Sequence, residues 1–124
     1  MLICFDYSGN MEINTATTRL SALAHDTRLA IFRRLVTAGP AGIAAGAIGD
    51  SLALPPATLS FHLNHLANAG LAERRREGRQ IFYSANYPAM NALIDFLTEN
   101  CCEADPSCGE GERNAENDAT SSNS

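Results

Sequence analysis

A chain of 124 residues favours a single domain with a small hydrophobic core and makes a large enzyme improbable. Apolar residues make up 45% of it, aromatics 6%, and tryptophan is absent, which suits a helix-rich globular fold and excludes collagen or a disulfide miniprotein. The formal net charge is −5, yet residues 1–102 hold eight arginines against eight acids, while residues 103–124 hold six acids against Arg113, so the whole excess lies in the tail.

No apolar run approaches the ~18 residues of a membrane span, and the Met1 to Tyr7 stretch lacks the basic and apolar regions of a signal peptide. The cytoplasm is the expected location, and there the four cysteines are expected as thiols, ligands or redox groups rather than structural bridges.

In chain order, Ile13, Ala16, Leu20 and Leu23 recur at three- and four-residue steps and predict a first helix from about Asn14 to Ala24. Asp26 reads as the N-cap of a second, with Leu29, Phe32, Leu35 and Val36 facing inward before Gly39-Pro40 ends it. His25 reads as part of that helix start. Ile43, Ala47, Ile48 and Leu52 are spaced for a short third helix whose glycines permit close packing. Pro55-Pro56 then breaks the chain and starts a fourth, with Leu59, Leu63 and Leu66 on one side and Gly70 at its end.

From Leu71 to Tyr83 the pattern turns extended, two segments around a Glu77-Gly78 turn, with four of the nine basic residues between Arg74 and Arg79. This predicts a β-hairpin with a cationic tip. After Pro88, Met90, Leu93, Ile94, Leu97 and Cys101 continue a helical stripe. The organisation expected is an extension over 1–12, a domain over 13–102 and an acidic disordered tail over 103–124 that carries a third thiol.

Helix, helix, short helix, turn, helix, hairpin, helix is the order of a winged helix-turn-helix, a mainly α fold with a β-hairpin wing. On a recognition helix buried through Leu59, Leu63 and Leu66, the side chains of Thr58, Ser60, Phe61, Asn64 and His65 are free to meet base edges. Arg74, Arg76 and Arg79 would supply phosphate affinity. His62 is readable as a DNA contact or as a packing residue.

The residues themselves resemble the ArsR family of metalloid- and metal-responsive repressors. The likeness runs over about residues 15–100, through Leu20-Ser-Ala-Leu-Ala-His-Asp-Thr-Arg-Leu-Ala-Ile-Phe-Arg-Arg-Leu35, Leu59-Ser-Phe-His-Leu63, Ala69-Gly-Leu71 and Arg76-Glu-Gly-Arg79. It implies a homodimer joined by the first and last helices, bound to double-stranded operator DNA and released by an effector, with no enzymatic activity.

Cys101 and Cys102 are adjacent and Cys108 follows across Glu-Ala-Asp-Pro-Ser. Neighbouring side chains on an intact helix diverge by about 100°, so the pair can share one centre only where the helix ends. Three thiolates suit a soft centre such as trivalent arsenic or antimony, whereas zinc would want a fourth ligand. The arrangement looks like that of an ArsR branch whose arsenite site lies just past the last helix.

The family's better-known Cys-x-Cys pair falls here on Ala44-Ala45-Gly46 and is absent, and its last-helix zinc site would have only Asp95 and Glu99. Glu99, Glu103 and Asp105 disfavour free thiolates. Arsenous acid can still carry the thiol protons away as water, and a dication would compensate the charge. Arsenite, with antimonite, is therefore the expected effector, and no resident cofactor is needed. The alternatives are cadmium or lead, or a redox switch pairing Cys101 or Cys102 with Cys108. Cys4 reads as a lone thiol. No cysteine heads a helix and no phosphate-cradling glycine loop is present, which weighs against an arsenate reductase or another thiol enzyme.

Overall fold

The computed structural model describes residues 11–102 and 104. The expectations about Cys4, Cys108 and most of the acidic tail lie outside the described residues. The described chain forms α1 (Ile13–Leu23), α2 (Asp26–Ala38), β1 (Ile43–Ala44), α3 (Ala45–Leu52), α4 (Pro56–Asn68), β2 (Ala72–Glu77), β3 (Gln80–Ala85) and α5 (Tyr87–Thr98). This is the expected winged helix-turn-helix order, with one strand more than the sequence predicted.

Two packed clusters hold these elements together. The larger draws Ala22 from the end of α1, Ile31, Phe32 and Leu35 from α2, and Ile48 from α3. It adds Leu59, Leu63 and Leu66 from α4, with Leu71 and Tyr83 from the chain after it. The smaller joins Met11 and Ala16 to Ala92 and Leu93 of α5. Complete burial of a Leu or Ile is worth about 1.5–3 kcal/mol, so Ile31, Leu35, Leu63 and Leu66 carry much of the fold's stability.

The inward face of α2 differs from the expected one. Its buried residues are Arg28, Ile31, Phe32 and Leu35, at the i, i+3, i+4, i+7 spacing of a helical stripe, while Leu29 is exposed. The cap differs as well. His25 is the N-cap, its Nδ1 accepting from the Thr27 amide at 3.2 Å, and Asp26 occupies the first helical position. There its carboxylate faces the positive end of the helix dipole.

Ile43 is not part of a helix. It pairs with Tyr83 and Ala44 pairs with Phe82, placing β1 beside β3 in the strand order β1-β3-β2. Gly42 makes that approach achievable, because a Cβ there would sit 2.7 Å from the Tyr83 carbonyl oxygen, and its φ of +86° favours glycine in any case. Ala47, expected inside, is exposed on α3, whereas Ile48 and Gly49 are buried. Gly49 provides the expected close packing, since a Cβ at that position would meet Leu59 Cδ2 at 3.2 Å. Gly46 has open space around it and plays no such part.

Pro55 caps α4 and Pro56 opens its first turn, where a missing amide proton costs nothing. The far end closes as a Schellman motif. The Leu71 amide donates to the Leu66 carbonyl at 3.0 Å and the Gly70 amide to the Ala67 carbonyl at 3.0 Å, with Gly70 at φ +84°. In the hairpin Glu77 pairs with Gln80, so the two turn residues are Gly78 and Arg79 rather than Glu77 and Gly78. Gly78 takes φ +64° there.

Asn86 caps α5, which ends at Thr98, three residues before the first of the paired cysteines and short of the predicted stripe. Ile13, Leu20, Ile94 and Leu97 all remain exposed on α1 and α5. Among the described residues no helix is long and apolar enough to cross a membrane.

Candidate nucleic-acid interface

α4 is anchored by Leu59, Leu63 and Leu66, which are at most 5% exposed. The helical repeat then turns Thr58, Ser60, Phe61 and Asn64 outward, and His65 stands half-buried beside them. Phe61 is 63% exposed, a large apolar surface left uncovered on an otherwise polar face. Its ring meets the His65 ring edge-on with centroids 6.3 Å apart, which fixes the direction in which both project. Hydroxyl, amide, imidazole and phenyl groups thus share one helix face, the mix that can address base edges and a thymine methyl.

His62 does not belong to that face. It is 6% exposed, and its Nδ1 lies 3.3 Å from Arg28 Nη1, with its ring 4.8 Å from that of His25. Burial first, then the charges of His25, Arg28 and His65, lower its pKa below the usual histidine value. It therefore acts as a packing and hydrogen-bonding residue and not as a DNA contact, for the simple reason that its side chain lies on the leucine side of α4.

The wing presents Arg74, Arg76 and Arg79, all exposed. Arg74 lies opposite Tyr83 and Arg76 opposite Ile81, so strand alternation sets both on one side of the sheet, and Arg79 stands at the turn. Arg76 Nε donates to the Gly78 carbonyl at 3.3 Å, stiffening the tip. Arg75 is engaged elsewhere. It bonds Glu77 Oε2 at 2.7 Å and the Ala41 carbonyl at 3.0 Å, and it covers the Phe82 ring at 5.1 Å. It fastens the wing to the loop before β1.

Three polar residues without a signal in the helical periodicity hold α4 in place. Arg28 Nε donates to the Ala22 carbonyl at 2.7 Å while its Nη1 faces His62, bridging the end of α1 to the middle of α4. Arg19 Nε donates to the Ala69 carbonyl at 3.1 Å, and Asn86 Nδ2 to the Gly70 carbonyl at 2.9 Å. An arginine inside a helical stripe breaks the apolar pattern, so periodicity gave no signal for Arg28. The Asn-x-Pro start of α5 did offer a capping signal for Asn86.

At the other end, the chain leaves α5 through Asn100 at φ +60° and Cys102 at φ +58°. These two left-handed residues turn the adjacent side chains together, and Cys101 Sγ stands 3.7 Å from Cys102 Sγ. The helix therefore ends before the pair, at Thr98. Cys108 lies outside the described residues, and among the described residues no three metal-ligating side chains converge.

Residues 23–75 match the model of a helix-turn-helix domain family. The transcriptional activator HlyU of Vibrio cholerae is 31% identical over 96 residues, which span 76% of this chain and 86% of that protein. The chain belongs to the ArsR/HlyU-type winged helix-turn-helix transcriptional regulators. Reduced HlyU superposes with a TM-score of 0.58 at 29% identity, over 72% of this chain and 90% of that one. An ArsR-like transcriptional regulator from a Rhodococcus species gives 0.65 at 25% identity, over 82% and 93%. The homodimeric winged helix-turn-helix DNA-binding domain of Mb0332 from Mycobacterium bovis gives 0.57 at 27%, over 72% and 82%.

Proposed function

We propose that this regulator is a metalloid-responsive repressor that binds operator DNA as a homodimer and lets go when Cys101, Cys102 and Cys108 capture trivalent arsenic or antimony. α4 enters the major groove and its outward residues read bases, while Arg74, Arg76 and Arg79 neutralise phosphates. Support for the dimer comes from the exposed Leu20, Ile94 and Leu97 on α1 and α5, and from the homodimeric state of the Mycobacterium bovis relative.

The observation that carries the effector reading is the 3.7 Å separation of the two sulfurs beyond α5. Two metal–sulfur bonds of ~2.3 Å at a near-tetrahedral angle span about 3.8 Å, so this pair needs little rearrangement to hold one soft centre. Capture balances without preformed thiolates: arsenous acid and three thiols give one arsenic with three sulfur bonds and three waters. Capture beyond α5 changes the end of a dimerising helix and so the spacing of the two copies of α4. A coupling of about 1–3 kcal/mol would lower operator affinity about 5- to 150-fold.

Arsenite titrated against operator complexes of the wild type and Cys102→Ser tests the assignment. Release of the wild type alone is expected, and equal release of both refutes it. Release by cadmium or lead without response to arsenite would reassign the effector.

A redox reading draws on the same sulfur spacing and on HlyU having been solved in a reduced form. Cys101 or Cys102 would pair with Cys108, peroxide taking two electrons and two protons to leave a disulfide and two waters. Release by peroxide that dithiol reverses, with indifference to arsenite, would select this reading.

A further inference from the structure

All three histidines of the chain meet where the start of α2 touches α4. The His25 and His62 rings lie 4.8 Å apart, and the Phe61 ring stands edge-on to His62 at 5.4 Å and to His65 at 6.3 Å. Arg28 reaches this cluster from α2. With its Nε bound to the Ala22 carbonyl at 2.7 Å, the guanidinium is fixed against the end of α1, and Nη1 then lies 3.3 Å from His62 Nδ1.

The chemistry of that contact depends on one proton. A guanidinium has donors only, so the bond exists only while Nδ1 keeps its lone pair and the proton sits on Nε2. A proton on Nδ1 removes the acceptor and places a second cation beside Arg28, at a side chain 6% exposed. The groups acting on the His62 charge are His25 at the N-cap of α2, Arg28 from α2 and His65 from α4, and all three oppose protonation. No carboxylate is among them.

We propose that Arg28 and His62 form a proton-sensitive lock that positions α4 for base reading. Neutral His62 ties the middle of α4 to the α1–α2 junction, and protonation unties it. The inference rests on the reading of α4 as the helix that meets the bases. Ser60, Phe61 and Asn64 project from the same turns of α4 as His62, so a released α4 loses base complementarity. The wing arginines sit on another element and keep their hold on phosphates. The lock is fully engaged above the ordinary histidine value of about 6.5, weakens below it and is lost as pH falls through the lowered His62 pKa. Discrimination between sequences is therefore lost on acidification, while general affinity for duplex is retained.

The test uses the full chain and two duplexes, one selected by the protein from a random pool at about pH 8 and a scrambled one of equal length. In the wild type the ratio of the two affinities is expected to fall by roughly tenfold for each unit of depression of the His62 pKa. In His62→Gln, whose amide oxygen still accepts from Arg28, the ratio is expected to stay flat. A ratio independent of pH in the wild type, or an unchanged pH response in the variant, overturns the lock.

Ring nitrogen spectra of the wild type without DNA separate failure of the lock from failure of the DNA reading. A proton on His62 Nε2, with α4 amide shifts that follow the His62 titration, supports the lock. A proton on Nδ1, or α4 amides that do not move, overturns it whatever the protein does on DNA.

Discussion

Asn86 joins the first turn of α5 to the last turn of α4. Its Oδ1 accepts from the Ala89 amide at 3.2 Å, its Nδ2 donates to the Gly70 carbonyl at 2.9 Å, and its own amide donates to the Leu71 carbonyl at 2.9 Å. One side chain thus caps the helix that leads to the thiols and holds the end of the candidate recognition helix.

Asn86→Ala is expected to destabilise the fold by about 2 kcal/mol, about 1 from the lost cap and about 1 from the lost bond to Gly70. Asn86→Asp keeps an acceptor for the cap but loses the donor, and should fall between the two. Urea midpoints at unchanged m-value measure both.

Gly42 and Gly78 both have positive φ, but a Cβ at Gly42 would meet the Tyr83 carbonyl at 2.7 Å whereas one at Gly78 meets nothing within 4 Å. Gly78→Ala should cost about 1–2 kcal/mol, the left-handed backbone alone. Gly42→Ala should cost more and detach β1 from β3. Thermal unfolding ranks the two, and exchange of the Tyr83 region amides locates the damage.

Removing one wing arginine at a time should separate grip from scaffold. If Arg74, Arg76 and Arg79 each neutralise a phosphate, alanine at any of them lowers the salt slope of duplex binding by roughly 0.9. Arg75→Ala should leave the slope unchanged and lower the unfolding temperature instead, because Arg75 is committed to Glu77, Ala41 and Phe82. Fluorescence anisotropy over a salt series reads the slope.

Leu97 is 58% exposed and Ile94 50% on the outer face of α5. If that face joins two copies, Leu97→Glu buries an unpaired charge at the joint and the dimer should dissociate with the fold intact. Light scattering after size exclusion, with circular dichroism as the fold control, checks both parts.

The sequence revealed the five helices, the hairpin and the leucine anchors of α4 because each rests on periodicity or on proline and glycine, signals local to the chain. It misassigned features that only contacts between distant segments decide. Leu29 is as apolar as Ile31, and their places are settled by where Arg28 finds the Ala22 carbonyl and His62. Ile43 reads equally well as helix, and the pairing with Tyr83, forty residues on, makes it a strand. Histidine at 62 is polar by type, so its burial followed only from the leucine register on either side. The thiol pair was readable as two sulfurs at a helix end, but their approach required the left-handed turns at Asn100 and Cys102.

Because β3 lies between β1 and β2, the strand rich in arginine is an edge strand, with a row of backbone donors and acceptors that no further strand pairs among the described residues. Such a border invites another molecule to add itself and begin a growing stack, and like charges along it keep molecules apart. Arg74 and Arg76 therefore serve the chain even in the absence of DNA, and a variant stripped of them should clump in storage before it misfolds.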